Sequence, residues 1–345
     1  MTVFDHSALV DSMKKPAFYP HPVRAVEFLQ THISSLFLTG DLAYKLKKPM
    51  DFGFLNFTTL ELRREFCEKE LELNRRLAPS VYLRVEPVTL DDGVLKLSGS
   101  GPAVDWVVVM RQLDQELLGL RVLERGELTP EKIEAVVDLL VPFYQSARTG
   151  PGVDEFGRID TAKFNTDENF EQTAGFVDVA VSRARYDRIR SFTNRFYQEN
   201  ELRFQRRISG GWVRECHGDL HLGNIFFQDP PVVFDCIEFN ERFRCSDVAV
   251  DLAFLVMDLD FQERPELARR VVERYVDQSG DTGFLGMVDF YCCYRAYVRG
   301  KIACFTSADP ALTSGGQKAQ LELAHRYFNL SHHYAIDGGY GKILS

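Results

Sequence analysis

The sequence predicts an α+β protein, with a small antiparallel β-sheet lobe carrying one helix over residues 1–110 and a mostly helical lobe over 111–345. Three observations carry that prediction. Turn residues separate short alternating runs in the first third of the chain. Helical periodicity with charged faces takes over after Asp114. Late in the chain, the apolar runs Trp212–Cys216 and Val232–Phe234 flank a polar segment suited to a loop between strands.

Leu36–Thr39 and Leu42–Lys47 flank Gly40-Asp41 and read as a hairpin, which Pro49 ends. Thr59–Leu77 reads as a helix with Leu62, Phe66, Leu73 and Leu77 on one apolar face. A second hairpin follows from Tyr82–Leu90 and Val94–Leu97, separated by Asp91-Asp92-Gly93. Asp105–Met110 is apolar enough for a strand buried on both faces. Thr129-Pro130-Glu131 supplies a cap, a first-turn proline and an acid, starting a helix that runs towards Gln145. Asp167–Arg207 is largely helical, and its arginines, Arg183, Arg185, Arg188 and Arg190, read as a solvated face. Gly210-Gly211 breaks that stretch, and the chain from Val248 onward reads as helices.

The 345 residues are 45% hydrophobic and 26% charged, with a net charge of −9. An acidic balance argues against a nucleic-acid partner. Met1–Lys15 lacks the basic and apolar runs of a signal peptide, and the apolar stretch Val248–Phe261 is broken by Asp251, Asp258 and Asp260. A cytoplasmic protein without a membrane partner is therefore expected, while nothing specifies its oligomeric state. Seven cysteines without a CxxC pair are expected to be buried, reduced thiols, and no zinc-ligand spacing occurs.

The chemistry concentrates in Glu215-Cys216-His217-Gly218-Asp219-Leu220-His221-Leu222-Gly223-Asn224-Ile225, followed by Val233-Phe234-Asp235. Phosphoryl transfer needs positioned groups and charge neutralisation more than covalent help. Asp219 suits the carboxylate that takes the proton of an acceptor hydroxyl. Asn224 and Asp235 offer hard oxygen ligands for Mg²⁺. His217 supports the loop by hydrogen bonding rather than by reacting. The alternative reading is a polar turn with accidental acids, and the fixed spacing inside a strand–loop–strand context argues against it.

These residues resemble the catalytic loop of the aminoglycoside phosphotransferase family of kinase-like enzymes, which runs HGD, four residues, then N. Thr39–Pro49 and Leu73–Pro79 resemble the bacterial aminoglycoside-phosphotransferase-like branch in particular. Some members of that branch carry a further P-loop domain; no GxxxxGK[ST] occurs here, so the resemblance is to the short form. The resemblance implies a protein-kinase-like bilobal fold. It also implies a strand lysine on the nucleotide phosphates, paired with a helix glutamate. Lys47 matches that lysine, with Lys45 as runner-up on the same strand face, and Glu70 matches the glutamate, ahead of Glu65. The phosphate loop falls at Thr31–Ser35, where Ser34 and Ser35 are the donors; it lacks glycine, a departure from the family pattern. Met110 and Arg111 stand where a hinge would bind the base through its backbone. Asp251 is expected to accept backbone hydrogen bonds from the catalytic loop, and Asp247 to cap a helix. Glu238, in an unusual Asp235-Cys236-Ile237-Glu238 sequel, either joins the metal site or faces a cationic substrate. Arg295 and Arg299 share a helix face and either bind an anionic group of the acceptor or pair with acidic neighbours.

The function so implied is transfer of the γ-phosphate of ATP, with GTP as the other option and Mg²⁺ as cofactor, to a hydroxyl of a small molecule such as an aminoglycoside, sugar or amino alcohol. A nucleotide-binding regulator without transfer is the alternative. A protein kinase ranks third, because Gly218 and His221 stand where its catalytic loop would carry Arg and Lys.

Overall fold

A computed structural model describes residues 5–342 of the chain. Helix α1 (His6–Met13) precedes strands β1 (Glu27–Gln30), β2 (Ser34–Leu38) and β3 (Leu42–Lys47). Helix α2 (Leu60–Asn74) and strands β4 (Tyr82–Asp91), β5 (Val94–Leu97) and β6 (Ala103–Arg111) follow. Then come helices α3 (Gly119–Glu124), α4 (Pro130–Ser146), α5 (Ile159–Thr173), α6 (Arg183–Glu199) and α7 (Glu201–Ser209). Short strands β7 (Val213–Glu215), β8 (Ile225–Phe226) and β9 (Val232–Val233) lead to α8 (Glu241–Arg244) and β10 (Cys245–Asp247). The remaining helices are α9 (Val248–Phe261), α10 (Pro265–Ser279), α11 (Val288–Ser307) and α12 (Ser314–Ile336).

The chain forms two compact units, one of residues up to Arg121 with Asn224–Glu241, the other of Val122–Gly223 with the residues from Arg242 onward. This differs from the expected division at 110/111. The reason is a small antiparallel pair, β8 with β9, whose Phe226 and Val232 pack with Leu38, Tyr82 and Val108 of the sheet. Apolar burial, rather than position along the chain, assigns that segment.

In the sheet unit, six antiparallel strands run in the order β1-β2-β3-β6-β4-β5. The β2–β3 hairpin turns at Gly40, whose φ of +104° suits glycine, and pairs Phe37 with Tyr44 and Leu36 with Lys45. One face covers a core of Leu9, Met13, Phe37, Tyr44, Leu46 and Val107. The expected apolar face of α2 is only part of the buried one: its Leu73 and Leu77 are buried. Leu62 and Phe66 are half-buried, whereas Arg63, Cys67, Glu70 and Asn74 turn inward together with Leu73. The helix is fixed by polar partners: Arg63 Nε donates to Asp105 Oδ1 at 2.8 Å and Arg63 Nη1 to the Phe57 carbonyl at 3.1 Å.

In the helical unit, α9 is buried nearly all round, from Val248 to Leu259, with α10 and α11 packed on it. Asp247 caps it by accepting from the Ala249 N–H at 2.9 Å, and also holds Arg207 in a buried ion pair at 2.6 Å. Strand β10 pairs antiparallel with β7, Cys245 opposite Glu215. The seven cysteines are all buried. Among the described residues, no helix is long and apolar enough to cross a membrane.

Candidate active site

The sheet unit gathers five buried or half-buried charges. Lys45 and Lys47 lie two apart on β3, so their side chains leave the same face and both reach Glu70 of α2. Lys45 Nζ lies 2.8 Å from Glu70 Oε1 and 2.6 Å from Asp235 Oδ1. Lys47 Nζ lies 2.7 Å from Glu70 Oε2 and makes a second ion pair with Glu238. Burial opposes the charge of Lys45, but Asp235 and Glu70 outweigh it and hold its pKa well above the ordinary value. Burial likewise opposes Lys47, and Glu238 and Glu70 push it up. For Glu70, burial works against ionisation and the two lysines win, so its pKa falls. Burial dominates at Glu238 and raises it. The side chain of Lys47 is 0% exposed while that of Asp235 is 44% exposed, so the Lys45–Asp235 end of the network is the one that meets solvent.

Asp235 is held in an unusual backbone conformation, φ +63°. Its N–H donates to Tyr82 Oη at 3.2 Å, and the next N–H, of Cys236, donates to Asn74 Oδ1 at 2.8 Å. Asn224 belongs to the same unit; its carbonyl accepts from the Phe234 N–H at 3.0 Å, which ties it to the strand end that delivers Asp235. Met110 and Arg111 end β6, opposite Ala43 and Leu42, and the Arg111 N–H donates to the Val81 carbonyl at 2.8 Å. Ser34 and Ser35 do not lie in a loop as expected. They open β2, fully buried, because the turn from β1 is only Thr31–Ile33 and Thr31 Oγ1 closes it by accepting from the Ser34 N–H. Their hydroxyls have no hydrogen-bond partner among the described residues, and Ser34 sits opposite Lys47 across the ladder, on the lysine face.

The helical unit holds the other half of the motif. Gly218 takes φ +89°, a conformation only glycine adopts readily, which turns the loop sharply before Asp219. Asp251, fully buried in the first turn of α9, clamps that turn: Oδ2 accepts from the His217 N–H at 3.0 Å and Oδ1 from the Gly218 N–H at 2.8 Å. Tyr144 Oη also donates to Asp251 Oδ2, at 2.9 Å. Two turns further along α9, Asp258 Oδ2 accepts from the Leu222 N–H at 2.9 Å. One helix face thus holds both ends of the loop. His217 is buried, and its Nδ1 accepts from the Asp219 N–H at 3.3 Å.

Asp219 faces His221, Nε2 to Oδ2 at 3.4 Å, while His221 Nδ1 accepts from the Gly223 N–H at 3.0 Å. Burial would raise the Asp219 pKa, but His221 and then Arg299 outweigh it and lower it. Burial would lower His221, and Asp219 raises it instead. Arg295 is buried, its Nη2 donating to the Gly218 carbonyl at 3.0 Å and its Nε to the Val250 carbonyl at 3.2 Å. Arg299 is half-buried and donates to Tyr327 Oη at 3.4 Å.

Sequence reasoning did not single out Tyr82, Asn74, Tyr144, His221 or Asp258 as parts of this arrangement. For Asp258 a signal existed: two acids seven residues apart, Asp251 and Asp258, in a largely apolar helix lie on one face and need polar partners. The tyrosines and Asn74 carried no such signal.

The chain is similar to several known proteins. An uncharacterised protein of Mycobacterium tuberculosis (strain ATCC 25618 / H37Rv) is 34% identical over 289 residues, which cover 82% of this chain and 56% of that protein. An uncharacterised protein of Mycobacterium bovis (strain ATCC BAA-935 / AF2122/97) matches to the same extent. The chain therefore spans about half the length (56%) of the curated relatives it matches. Among solved structures, a choline/ethanolamine kinase family protein from Mesorhizobium loti is similar with a TM-score of 0.53 at 13% identity, over 95% of this chain and 98% of that one. An amicoumacin kinase in complex with AMP-PNP and Ca²⁺ is similar with a TM-score of 0.52 at 13% identity, over 98% and 95%. The fold is thus the protein-kinase-like one. The profile described as the phosphotransferase enzyme family matches residues 64–287, and the chain belongs to that family.

Proposed function

We propose that the protein transfers the γ-phosphate of ATP to a hydroxyl of a small molecule, with Mg²⁺ as cofactor. The observation that carries this reading is Lys45 Nζ held between Glu70 and Asp235, at 2.8 and 2.6 Å. It is the pairing a phosphate-anchoring lysine requires, next to a carboxylate that binds metal. The anchor is therefore Lys45 rather than Lys47. Lys47 is enclosed by Glu70 and Glu238, and its role is to hold Glu70 in place. Glu238 is accordingly a partner of Lys47, not a ligand for the metal or for a cationic substrate.

The donor set suits the cofactor. Asn224 and Asp235 supply an amide and a carboxylate oxygen, the few hard ligands that Mg²⁺ takes from protein when phosphates and water complete its shell. When bound, the ion neutralises charge on the nucleotide phosphates. The acceptor oxygen bonds to the γ-phosphorus, the bond from that phosphorus to the β–γ bridging oxygen breaks, and the hydroxyl proton passes to Asp219. The lowered pKa of Asp219 keeps it ionised for that step. Asp251, His217 and Arg295 fix the loop that presents it. In this reading the sheet unit handles the nucleotide and the helical unit the acceptor. GTP remains the other option as donor, and Met110 and Arg111 would contact the base through main-chain groups, so their side-chain identity matters little.

A second reading, a nucleotide-binding regulator, draws on the glycine-free turn Thr31–Ile33. ATP turnover measured across a panel of alcohols, beside Mg²⁺-dependent ATP binding, separates the two. Turnover with any alcohol supports the phosphotransferase. Binding without turnover throughout supports the regulator.

A further inference from the structure

Helix α11 carries Arg295 and Arg299 one turn apart, and their surroundings differ. Both long-range donors of Arg295 go to carbonyls, and its bond to Gly218 fixes α11 against the loop that carries Asp219. Arg299 comes one turn later, roughly 6 Å further along the helix. Its guanidinium lies 5.5 Å from the Tyr327 ring centroid, and its Nε donates to Tyr327 Oη over a long 3.4 Å. Tyr327 stacks on Phe261 at 3.8 Å and 12°, and Arg326 lies over Phe261 at 4.3 Å. Among the described residues, neither Arg299 nor Arg326 has a carboxylate within ion-pair distance.

The acids of this region already have donors. Asp258 accepts from the Leu222 N–H at 2.9 Å, and Asp219 faces His221 at 3.4 Å. Among the described residues, the half-buried Arg299 guanidinium has the long Tyr327 contact but no carboxylate within ion-pair distance, which replaces only part of its lost hydration, and its planar fork matches a carboxylate or phosphate. Arg299 is also close enough to Asp219 for each to shift the titration of the other. We propose that the acceptor is an anionic hydroxy compound, whose carboxylate or phosphate group is bound by Arg299, with Arg326 at the rim, while its hydroxyl faces Asp219. Arg299 then selects the acceptor, and the aromatic pair Tyr327–Phe261 supplies a flat apolar wall beside it.

The inference rests on the phosphotransferase reading, and the two fail separately. The test uses the full chain saturated with AMP-PNP and Mg²⁺, and follows thermal stabilisation by two matched series. One is glycerol, glycerate, glycerol 3-phosphate and 2-amino-1,3-propanediol; the other is glucose, gluconate, glucose 6-phosphate and glucosamine. An acidic member should bind at least about tenfold more tightly than its neutral and amino counterparts, and whether carboxylate or phosphate wins identifies the anion. Arg299→Gln should weaken that binding by roughly 10- to 100-fold, the worth of charge-assisted hydrogen bonds. Arg299→Lys should restore part of it, and Arg326→Gln should cost less. AMP-PNP affinity, unchanged in all three variants, reports that they are folded. Preference for neutral or amino members, no binding by any acid, or acid binding by Arg299→Gln equal to that of the parent would overturn the proposal. If Arg299 only tuned Asp219, the variant would shift the pH profile of turnover and keep the preference for acids. Failure of the parent protein to bind Mg²⁺–AMP-PNP would instead sink the phosphotransferase reading.

Discussion

Lys45 and Lys47 share a strand face and share Glu70, yet only Lys45 reaches Asp235. Their substitutions should therefore separate. Lys45→Met should raise the KM for nucleotide or lower kcat by more than tenfold with a modest change in stability. Lys47→Met should leave two buried carboxylates short of a partner and cost on the order of 3–5 kcal/mol in a urea titration. Equal effects of the two on both measurements would contradict the division of roles. Asp219→Asn should lower kcat by roughly 10²–10⁴ at unchanged folding, the usual worth of a general base; an unaltered kcat would remove Asp219 from that role. The pH dependence follows from its pair with His221. The Asp219 pKa lies below its ordinary 3.8, so its ionised form persists until the pH falls beneath that value. His221 lies above its ordinary 6.5, so its proton is lost only above that value. The Asp219 contribution to stability is present above pH 3.8 and lost as pH falls through its lowered pKa; that of His221 is present below 6.5 and lost as pH rises through its raised one. The pair therefore stabilises most between those two ordinary values. His221→Asn should shift the acid limb of the pH–rate profile upward, towards the ordinary aspartate range.

At the scale of elements, two helices do work that their apolar patterns do not announce. Helix α2 turns Arg63, Glu70 and Asn74 inward, because Asp105, the two lysines and the Cys236 N–H are waiting for them. Asn74→Ala should remove the Asn74 acceptor of that buried N–H and cost about 1–3 kcal/mol, measured by the denaturation midpoint. It should also loosen Asp235, seen as weaker nucleotide binding. Helix α9 holds the loop from His217 to Leu222 at both ends through Asp251 and Asp258. The strand and hairpin pattern was legible because turn residues and alternation are local properties. The inward face of α2 was not, since a charged residue is buried only when a distant segment supplies its partner. The same holds for Ser34 and Ser35. The turn before them is two residues shorter than the loop expected, which puts both residues into β2.

For the molecule as a whole, Mg²⁺ and ATP together should raise the melting temperature, by about 2.7 kcal/mol of added stability at a hundredfold excess over Kd. EDTA should remove most of that gain, and Asp235→Ala should abolish the metal-dependent part. A shift that does not depend on metal would argue against Asn224 and Asp235 as ligands. The sequence by itself determined the two kinds of architecture, the loop from His217 to Asn224 and Asp235 after it, because hydrophobic period, turn chemistry and the spacing of a loop are short-range features. Only the tertiary structure decided which lysine meets Asp235, that Glu238 neutralises Lys47, that residues 224–241 pack with the sheet, and that among the described residues Arg299 has no carboxylate within ion-pair distance where Arg295 is satisfied by carbonyls. Those outcomes depend on charges separated by up to about 190 residues along the chain finding or missing one another, which no local pattern encodes.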